Sequence, residues 1–319
     1  MTHLAIDGDL LAFKATAVNE ERSIIAKHKD TGEEQVHKLR TEFKELVGKE
    51  DYDNWEIADV QTPKNFKFSC NTAEDLIKKW VEFAKADSYE IILTGRNNFR
   101  DEIPLPRKYK SNRDNALRPL HVKKMKQWLI DNYNATVIDG AECDDKLAEL
   151  AYFGYKTKKK IVQTTIDKDA YGCDGWIMHM DCIEPPKFIS GFGKLTLVDK
   201  KKTKELKGYG KIWMLAQSVL GDDSDGYKPC ELSGKKFGDV SCYELLKDCT
   251  TYKDAVEAVY RQYKLWYPEP VTYTAWDGKE YTKDALAIWQ MYFDCARMRR
   301  WEGDVINLKD VLDKLGVEY

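Results

Sequence analysis

Three observations predict an α/β fold built on a largely parallel sheet. Short apolar runs recur at Leu4-Ala5-Ile6, Ile91-Ile92-Leu93, Thr136-Val137-Ile138 and Ile161-Val162. Helix-spaced segments separate them, as crossover connections between parallel strands require. Carboxylates follow the first, third and fourth of these runs, at the strand ends where such sheets bind ligands.

Taking the chain in order, Leu4-Ala5-Ile6 reads as a buried strand ending in Asp7-Gly8-Asp9, with a helix from Leu10. Residues 23–43 read as an inserted hairpin around Asp30-Thr31-Gly32. The polar stretch that follows, to about residue 70, carries no recognisable chemistry. Ala73 to Ala86 has helical spacing, with Leu76, Trp80 and Phe83 expected on one face. Glu90 to Leu93 is the second core strand, ending at Thr94-Gly95.

The next segment is the most basic. Arg107, Lys108, Lys110, Arg113, Arg118, Lys123, Lys124 and Lys126 crowd it, with Tyr109 among them and Asp114 as the only acid. Such runs are often solvated faces. Here an aromatic set among cations also fits a phosphate-gripping element on which a base can stack. Ala135 to Ile138 is the third strand. It leads through Asp139-Gly140 into Glu142-Cys143-Asp144-Asp145, followed by helix-spaced Leu147, Leu150 and Ala151. These acids therefore open a helix, where the dipole and unpaired N–H groups favour negative charge. Ile161 to Ile166 is the fourth strand, ending at Asp167-Lys168-Asp169. Trp176-Ile177-Met178 and Leu195 to Val198 add further strand patterns.

Beyond residue 200 the pattern turns mostly helical. A helix over Ile212 to Leu220 closes at Gly221-Asp222-Asp223-Ser224-Asp225-Gly226. This is not an EF-hand loop, because Gly221 and Leu232 stand where its ligands belong. Ser233-Gly234-Lys235-Lys236-Phe237-Gly238 is a turn able to offer N–H groups to phosphate. Val271 to Thr274 and Lys279 to Tyr281 flank Asp277-Gly278 as a hairpin, and Ala285 to Arg300 reads as a final helix.

Composition sets bounds on function. With 43% hydrophobic and 33% charged residues among 319, the chain has the balance of a soluble globular protein. Its eight cysteines form no CxxC pair, so zinc ribbons are excluded and reduced thiols in a cytoplasmic compartment are expected. No signal-peptide pattern is seen, and no apolar run approaches the roughly 18 residues of a membrane span.

Asp7 and Asp9, Glu142 with Asp144 and Asp145, Asp167 and Asp169, and Asp222 and Asp225 are four acidic clusters at element ends. They can share a cleft ionised only if cations neutralise them. Two Mg²⁺ or Mn²⁺ ions are the economical solution. A basic element in the same chain makes the substrate a polyanion, so in-line phosphodiester hydrolysis is expected.

Ile6-Asp7-Gly8-Asp9, Tyr109-Lys110-Ser111-Asn112-Arg113, Glu142-Cys143-Asp144-Asp145, Asp167-Lys168-Asp169 and Gly221-Asp222-Asp223-Ser224-Asp225 occur in the order found in the 5′ nucleases. Over residues 4–245 the chain resembles bacteriophage 5′→3′ exonucleases of the flap endonuclease superfamily and the 5′ nuclease domain of bacterial DNA polymerase I. The resemblance implies a PIN-like core over 1–205, with the hairpin inserted at 23–43 and a helical arch at 105–130. It implies a helix–three-turn–helix element and a helical C-terminal region over 206–319. Metal ligands would be Asp7, Glu142, Asp144, Asp145, Asp167, Asp169, Asp222 and Asp225, with Asp9 set apart because its character varies in the family. Lys110 and Arg113 would meet the scissile phosphate and Tyr109 would stack on the terminal nucleotide. Arg107, Lys123, Lys124, Gly234, Lys235 and Lys236 would bind DNA backbone. The implied partners are DNA 5′ ends and flaps, with RNA–DNA hybrids in range, and a monovalent cation at the helix–three-turn–helix loop. A phage source would place the protein in the host cytoplasm. Oligomeric state is left open.

One departure stands out. The family's usual Asp after the second strand is replaced by Leu93-Thr94-Gly95, although Phe99-Arg100 follows as in the family. That gap motivates one alternative, a catalytically weakened DNA-binding protein on a nuclease fold. The other alternative is a haloacid-dehalogenase-type phosphatase using Asp7 and Asp9. It leaves Glu142, Asp144, Asp145, Asp167, Asp169 and the basic segment without a role.

Overall fold

The computed structural model describes residues 1–114, 116–201 and 203–319. Strand β1 (Thr2–Asp7) runs into helix α1 (Gly8–Ala17). Strands β2 (Glu20–His28) and β3 (Glu34–His37) form the expected hairpin. Short helices α2 (Arg40–Val47) and α3 (Lys49–Tyr52) lead to β4 (Trp55–Pro63), then α4 (Phe66–Ala84) and β5 (Ser88–Asn98). A 3₁₀ turn at Ser111–Arg113 precedes α5 (Val122–Tyr133), β6 (Thr136–Gly140), α6 (Cys143–Thr157) and β7 (Lys160–Thr165). A further 3₁₀ turn, Lys168–Gly172, leads to β8 (Gly175–His179), β9 (Lys187–Ile189), β10 (Lys194–Lys200) and β11 (Thr203–Tyr209). The remainder is α7 (Lys211–Leu220), α8 (Asp239–Leu246), α9 (Tyr252–Trp266), the hairpin β12 (Val271–Thr274) and β13 (Glu280–Lys283), α10 (Ala285–Ala296) and α11 (Leu308–Leu315).

The chain forms two compact units, neither continuous in sequence. The first comprises 1–8, 80–116 and 135–319. Its sheet has the order β6-β5-β1-β7-β8-β9, parallel throughout except for the antiparallel edge pair β8–β9. Leu4, Ala5 and Ile6 of β1 are fully enclosed, as a central parallel strand must be. Gly8 is required where β1 becomes a helix, because a Cβ there would lie 2.6 Å from the Ile92 carbonyl oxygen. A second core in the same unit packs α7, α9 and α10 around Trp213, Tyr263 and Trp289. The Tyr263 and Trp289 rings stack at 5.9 Å.

The second unit comprises 9–79 and 117–134. Its three-stranded antiparallel sheet, β3-β2-β4, closes on a small core of Ile24, Ala26, Phe43 and Trp55. Phe43 and Trp55 meet edge-to-face at 5.1 Å.

Several expectations change. Residues 135–319 lie in one unit, so the boundary expected near 205 falls inside it. The 23–43 hairpin is part of a sheet completed by β4, which lay in the stretch read as featureless. Among the described residues of 105–130 there is no continuous helical arch, and 105–116 belong to the first unit and 117–130 to the second. In α4 the buried positions are Ala73, Ile77, Trp80 and Ala84, while Phe83 is exposed. Trp80 is buried as expected, but the face is rotated away from Leu76 and Phe83, because small alanines sit inside where larger residues were expected. No helix among the described residues is long and apolar enough to cross a membrane.

Candidate metal centre

The centre is built at the C-terminal edge of the parallel sheet, all within the first unit. Asp7 ends β1 and is buried. Asp139-Gly140 ends β6, with Gly140 in the left-handed region at φ 81°, and the chain turns directly into α6. Glu142 is the N-cap of α6 and shares a capping box with Asp145. The Glu142 N–H donates to Asp145 Oδ2 at 3.1 Å, and the Cys143 N–H donates to Thr94 Oγ1 at 2.9 Å. Two of the helix's otherwise unpaired N-terminal donors are satisfied in this way. Asp167 caps the 3₁₀ turn after β7, accepting the Asp169 N–H at 2.8 Å. In the loop after α7, Asp222 Oδ1 accepts the Ser224 N–H and hydroxyl, both at 2.6 Å, and the Asp225 N–H at 3.2 Å.

Crowding divides these acids into two electrostatic classes. Asp144 is held well above the usual carboxylate range by burial, then by Asp7, Asp167 and Glu142. Burial also raises Asp167, with Asp225 and Asp222 adding to it, and raises Asp169 well above the usual range, with Asp167 and Asp222 adding. Asp222 behaves oppositely. Burial pushes it up, but the Ser224 hydroxyl and the Lys168 ammonium bring it below its ordinary value. Asp145 is also depressed, because the Arg100 guanidinium outweighs its burial.

The protein's own cations lie on the acids. Lys110 Nζ is 2.5 Å from Glu142 Oε1 and 3.8 Å from Asp225 Oδ1. Arg113 reaches the same Asp225 oxygen at 2.6 Å, and Lys168 Nζ lies 2.9 Å from Asp222 Oδ2. The Tyr109 hydroxyl donates to Asp225 Oδ2 at 2.5 Å. The 109–113 segment is fixed by its backbone too: the Lys110 N–H donates to the Asp225 carbonyl at 2.8 Å, and Asn112 Nδ2 to the Asp223 carbonyl at 2.8 Å.

Do these residues fit divalent cations? The donor set is all oxygen, which suits hard ions. Asp144 Oδ1 is buried without a hydrogen-bond partner, amid like charges. A buried carboxylate oxygen in that condition is costly unless a cation answers it. Among the described residues, no three His, Cys, Asp or Glu side chains are drawn together tightly enough to enclose an ion in this arrangement. Lys110, Arg113 and Lys168 take up that charge instead. By donor chemistry the residues fit.

The sequence-predicted residues divide accordingly. Asp7, Glu142, Asp144, Asp167, Asp169, Asp222 and Asp225 gather at the sheet edge. Asp145 stands apart from them, with both oxygens accepting from Arg100, at 2.7 and 3.1 Å. Tyr109 is buried, its ring 6.3 Å from that of Tyr227, so the stacking role expected of it is at odds with this arrangement. Lys110 and Arg113 do not share a helix face. Lys110 has φ 58° ahead of a single 3₁₀ turn, and the two meet through Asp225 instead. Arg107 is exposed and pairs with Glu231. Gly234, Lys235 and Lys236 are exposed on the loop between α7 and α8. Lys123 and Lys124 are exposed on α5 in the second unit, where Asp9 pairs with Lys126 at 2.7 Å. The sequence reading gave no role to three residues that hold the acids, Arg100, Lys168 and Gln217, the last donating to Asp169. Lys168 was discoverable, lying between two predicted ligands, whereas Gln217 lay unmarked inside a helix.

The six-stranded sheet, mostly parallel, with acids along its C-terminal edge and a helical region after it is a fold shared with a solved 5′ nuclease structure. The solved structure of the bacteriophage T5 flap endonuclease, in a complex with DNA and metal ions, matches with a TM-score of 0.53 and 13% identity over 99% of this chain and 96% of that one. The bacteriophage T5 5′-exonuclease with bound zinc overlaps more loosely, at a TM-score of 0.47 and 15% identity over 99% and 97%. At such identities the likeness is one of fold. No protein-family model matches the chain, and no curated protein matches it.

Proposed function

We propose that the protein is a divalent-metal-dependent 5′ nuclease that hydrolyses phosphodiester bonds at DNA 5′ ends and flaps. The observation that carries this reading is Asp144. It stands among Asp7, Glu142 and Asp167 with one buried oxygen lacking a partner. Asp7, Glu142, Asp144 and Asp167 would hold one cation, and Asp169, Asp222 and Asp225 a second. Mg²⁺ or Mn²⁺ held by these residues would supply an activated water and neutralise charge on the phosphoryl group.

The chain's own groups do the rest. Lys110 and Arg113, already at the acids, are placed to meet a scissile phosphate and to stabilise charge that builds on its oxygens. Lys123, Lys124, Lys235 and Lys236 are exposed and suited to backbone phosphates. A monovalent cation would sit at the left-handed Gly234 turn, in the loop between α7 and α8. Support comes from the shared fold and from the T5 flap endonuclease, whose structure contains DNA and metal ions.

The test is a 5′-labelled flapped duplex incubated with the protein and either Mg²⁺ or EDTA, with an RNA–DNA hybrid arm alongside. Short labelled products are expected only with Mg²⁺. Intact substrate in both tubes would sink the reading.

A further inference from the structure

Arg100 is almost completely enclosed, at 1% exposure, and the nuclease reading gives it no chemistry. Its guanidinium forks onto both oxygens of Asp145 and lies 3.6 Å from Glu142 Oε2. Its remaining donors go to the carbonyls of Cys295, at 3.0 Å from Nε, and Arg297, at 3.0 Å from NH2. Asp145 completes the knot by accepting the N–H groups of Glu142, at 3.1 Å, and Arg299, at 3.0 Å. A planar five-donor group is thus matched on every side, which a lysine cannot reproduce. The knot joins three separate pieces of chain: the 3₁₀ turn after β5, the first turn of α6, and the end of α10 with the residues just after it.

We propose that Arg100 is a positioning residue for the carboxylate cluster. Together with Asp145 it clamps the first turn of α6 to residues 295–299, so that Glu142 and Asp144 are held in the orientation that receives a cation. The proposal rests on the nuclease reading of that cluster. Groups that orient metal ligands from behind change metal affinity by about 10–100-fold when lost.

The experiment must separate orientation from mere stability. Removing one member of a buried pair strands the other, whereas replacing both by apolar residues of similar volume is often neutral. The double variant Arg100→Met/Asp145→Leu is therefore compared with the parent and with Arg100→Lys. Melting temperature, Mn²⁺ affinity by titration calorimetry, and kcat and KM on a flapped duplex are measured for each. Expected is a double variant that melts near the parent yet binds Mn²⁺ at least about tenfold more weakly, with kcat reduced and KM for DNA unchanged. Arg100→Lys should fold and show weakened Mn²⁺ binding as well. If the double variant fails to fold, this second variant decides. Parental Mn²⁺ affinity in a folded variant overturns the proposal. A parent that binds Mn²⁺ but leaves flapped DNA intact refutes the nuclease reading, while the affinity comparison still decides the role of Arg100. A parent that binds no Mn²⁺ overturns both.

Discussion

Asp144 and Asp145 are neighbours of identical chemistry, and the structure gives them opposite energetics. Asp145→Asn keeps the volume but removes the charge facing a guanidinium at 2.7 Å. Breaking a buried pair from one side costs about 3–5 kcal/mol. At roughly 2 °C per kcal/mol for a chain of this size, the melting temperature should fall by about 6–10 °C. Asp144→Asn removes a charge that burial and three neighbouring acids oppose, so the metal-free melting temperature should hold or rise. The pH dependence separates the two further. A carboxyl raised in the folded state binds its proton more tightly there than in the unfolded chain. Stability therefore falls as pH rises from the ordinary aspartate range through the raised value. The advantage of Asp144→Asn should accordingly shrink on acidification. Asp145 is depressed, so its contribution is complete above the ordinary aspartate value and is lost only as pH falls through the depressed one. The Asp145→Asn deficit should be flat between about pH 6 and 8. Scanning fluorimetry in EDTA across that range, repeated with Mg²⁺, provides the data. Equal losses in both variants, or a loss confined to Asp144→Asn, would refute the division of roles.

Gly95→Asp, which puts a carboxylate where the 5′ nucleases usually carry one, should destabilise by about 1–3 kcal/mol without tightening Mg²⁺ binding. A Cβ there would lie 2.2 Å from Asp139 Oδ1 and 2.9 Å from the Ile138 carbonyl oxygen; a parental melting curve with a lower Mg²⁺ requirement would contradict this. Lys110→Ala should slow single-turnover cleavage at saturating DNA by about 2–4 kcal/mol of barrier, the scale for one electrostatic donor. Lys124→Ala, whose ammonium lies 4.4 Å over the Phe66 ring, should leave the saturated rate within a few fold and lower the salt slope of binding by about one; quench-flow and titrations at several salt concentrations distinguish the two. Mg²⁺ should raise the melting temperature of the parent and have little effect on Asp144→Asn, since ligand binding stabilises only the state that binds it.

The parallel sheet was legible because its strands are apolar on both faces, and Leu4-Ala5-Ile6 or Ile91-Ile92-Leu93 admit few other readings. The opening of α6 was legible because Glu142 and Asp145 stand at capping-box spacing. β4 was not: Trp55 to Pro63 alternates weakly and carries Glu56, Asp59 and a proline, and only its pairing with β2 makes it a strand. The basic segment was hard to read for a related reason. Its cations are close in sequence, but Lys110 adopts a left-handed conformation that interrupts a helix, and the residues after 116 belong with another unit. Within the site, sequence identified the carboxylates as a set but could not show which were already neutralised. That depended on Arg100, whose partners Cys295 and Arg297 lie 195 and 197 positions away.

Those separations bear on how the molecule is made. Arg113 waits for Asp225 across 112 positions and Arg100 for Arg297 across 197. Distant pairings of this kind slow folding, because chain entropy is surrendered before the contacts repay it. On a ribosome, β1, β5 and β6 emerge long before residues 295–299, so a nascent chain holds a sheet whose acidic edge has no clamp. The cluster therefore cannot complete its framework until residues 295–299 have emerged. A chain stalled before α10 would carry every carboxylate proposed as a ligand and still lack the framework that aims two of them.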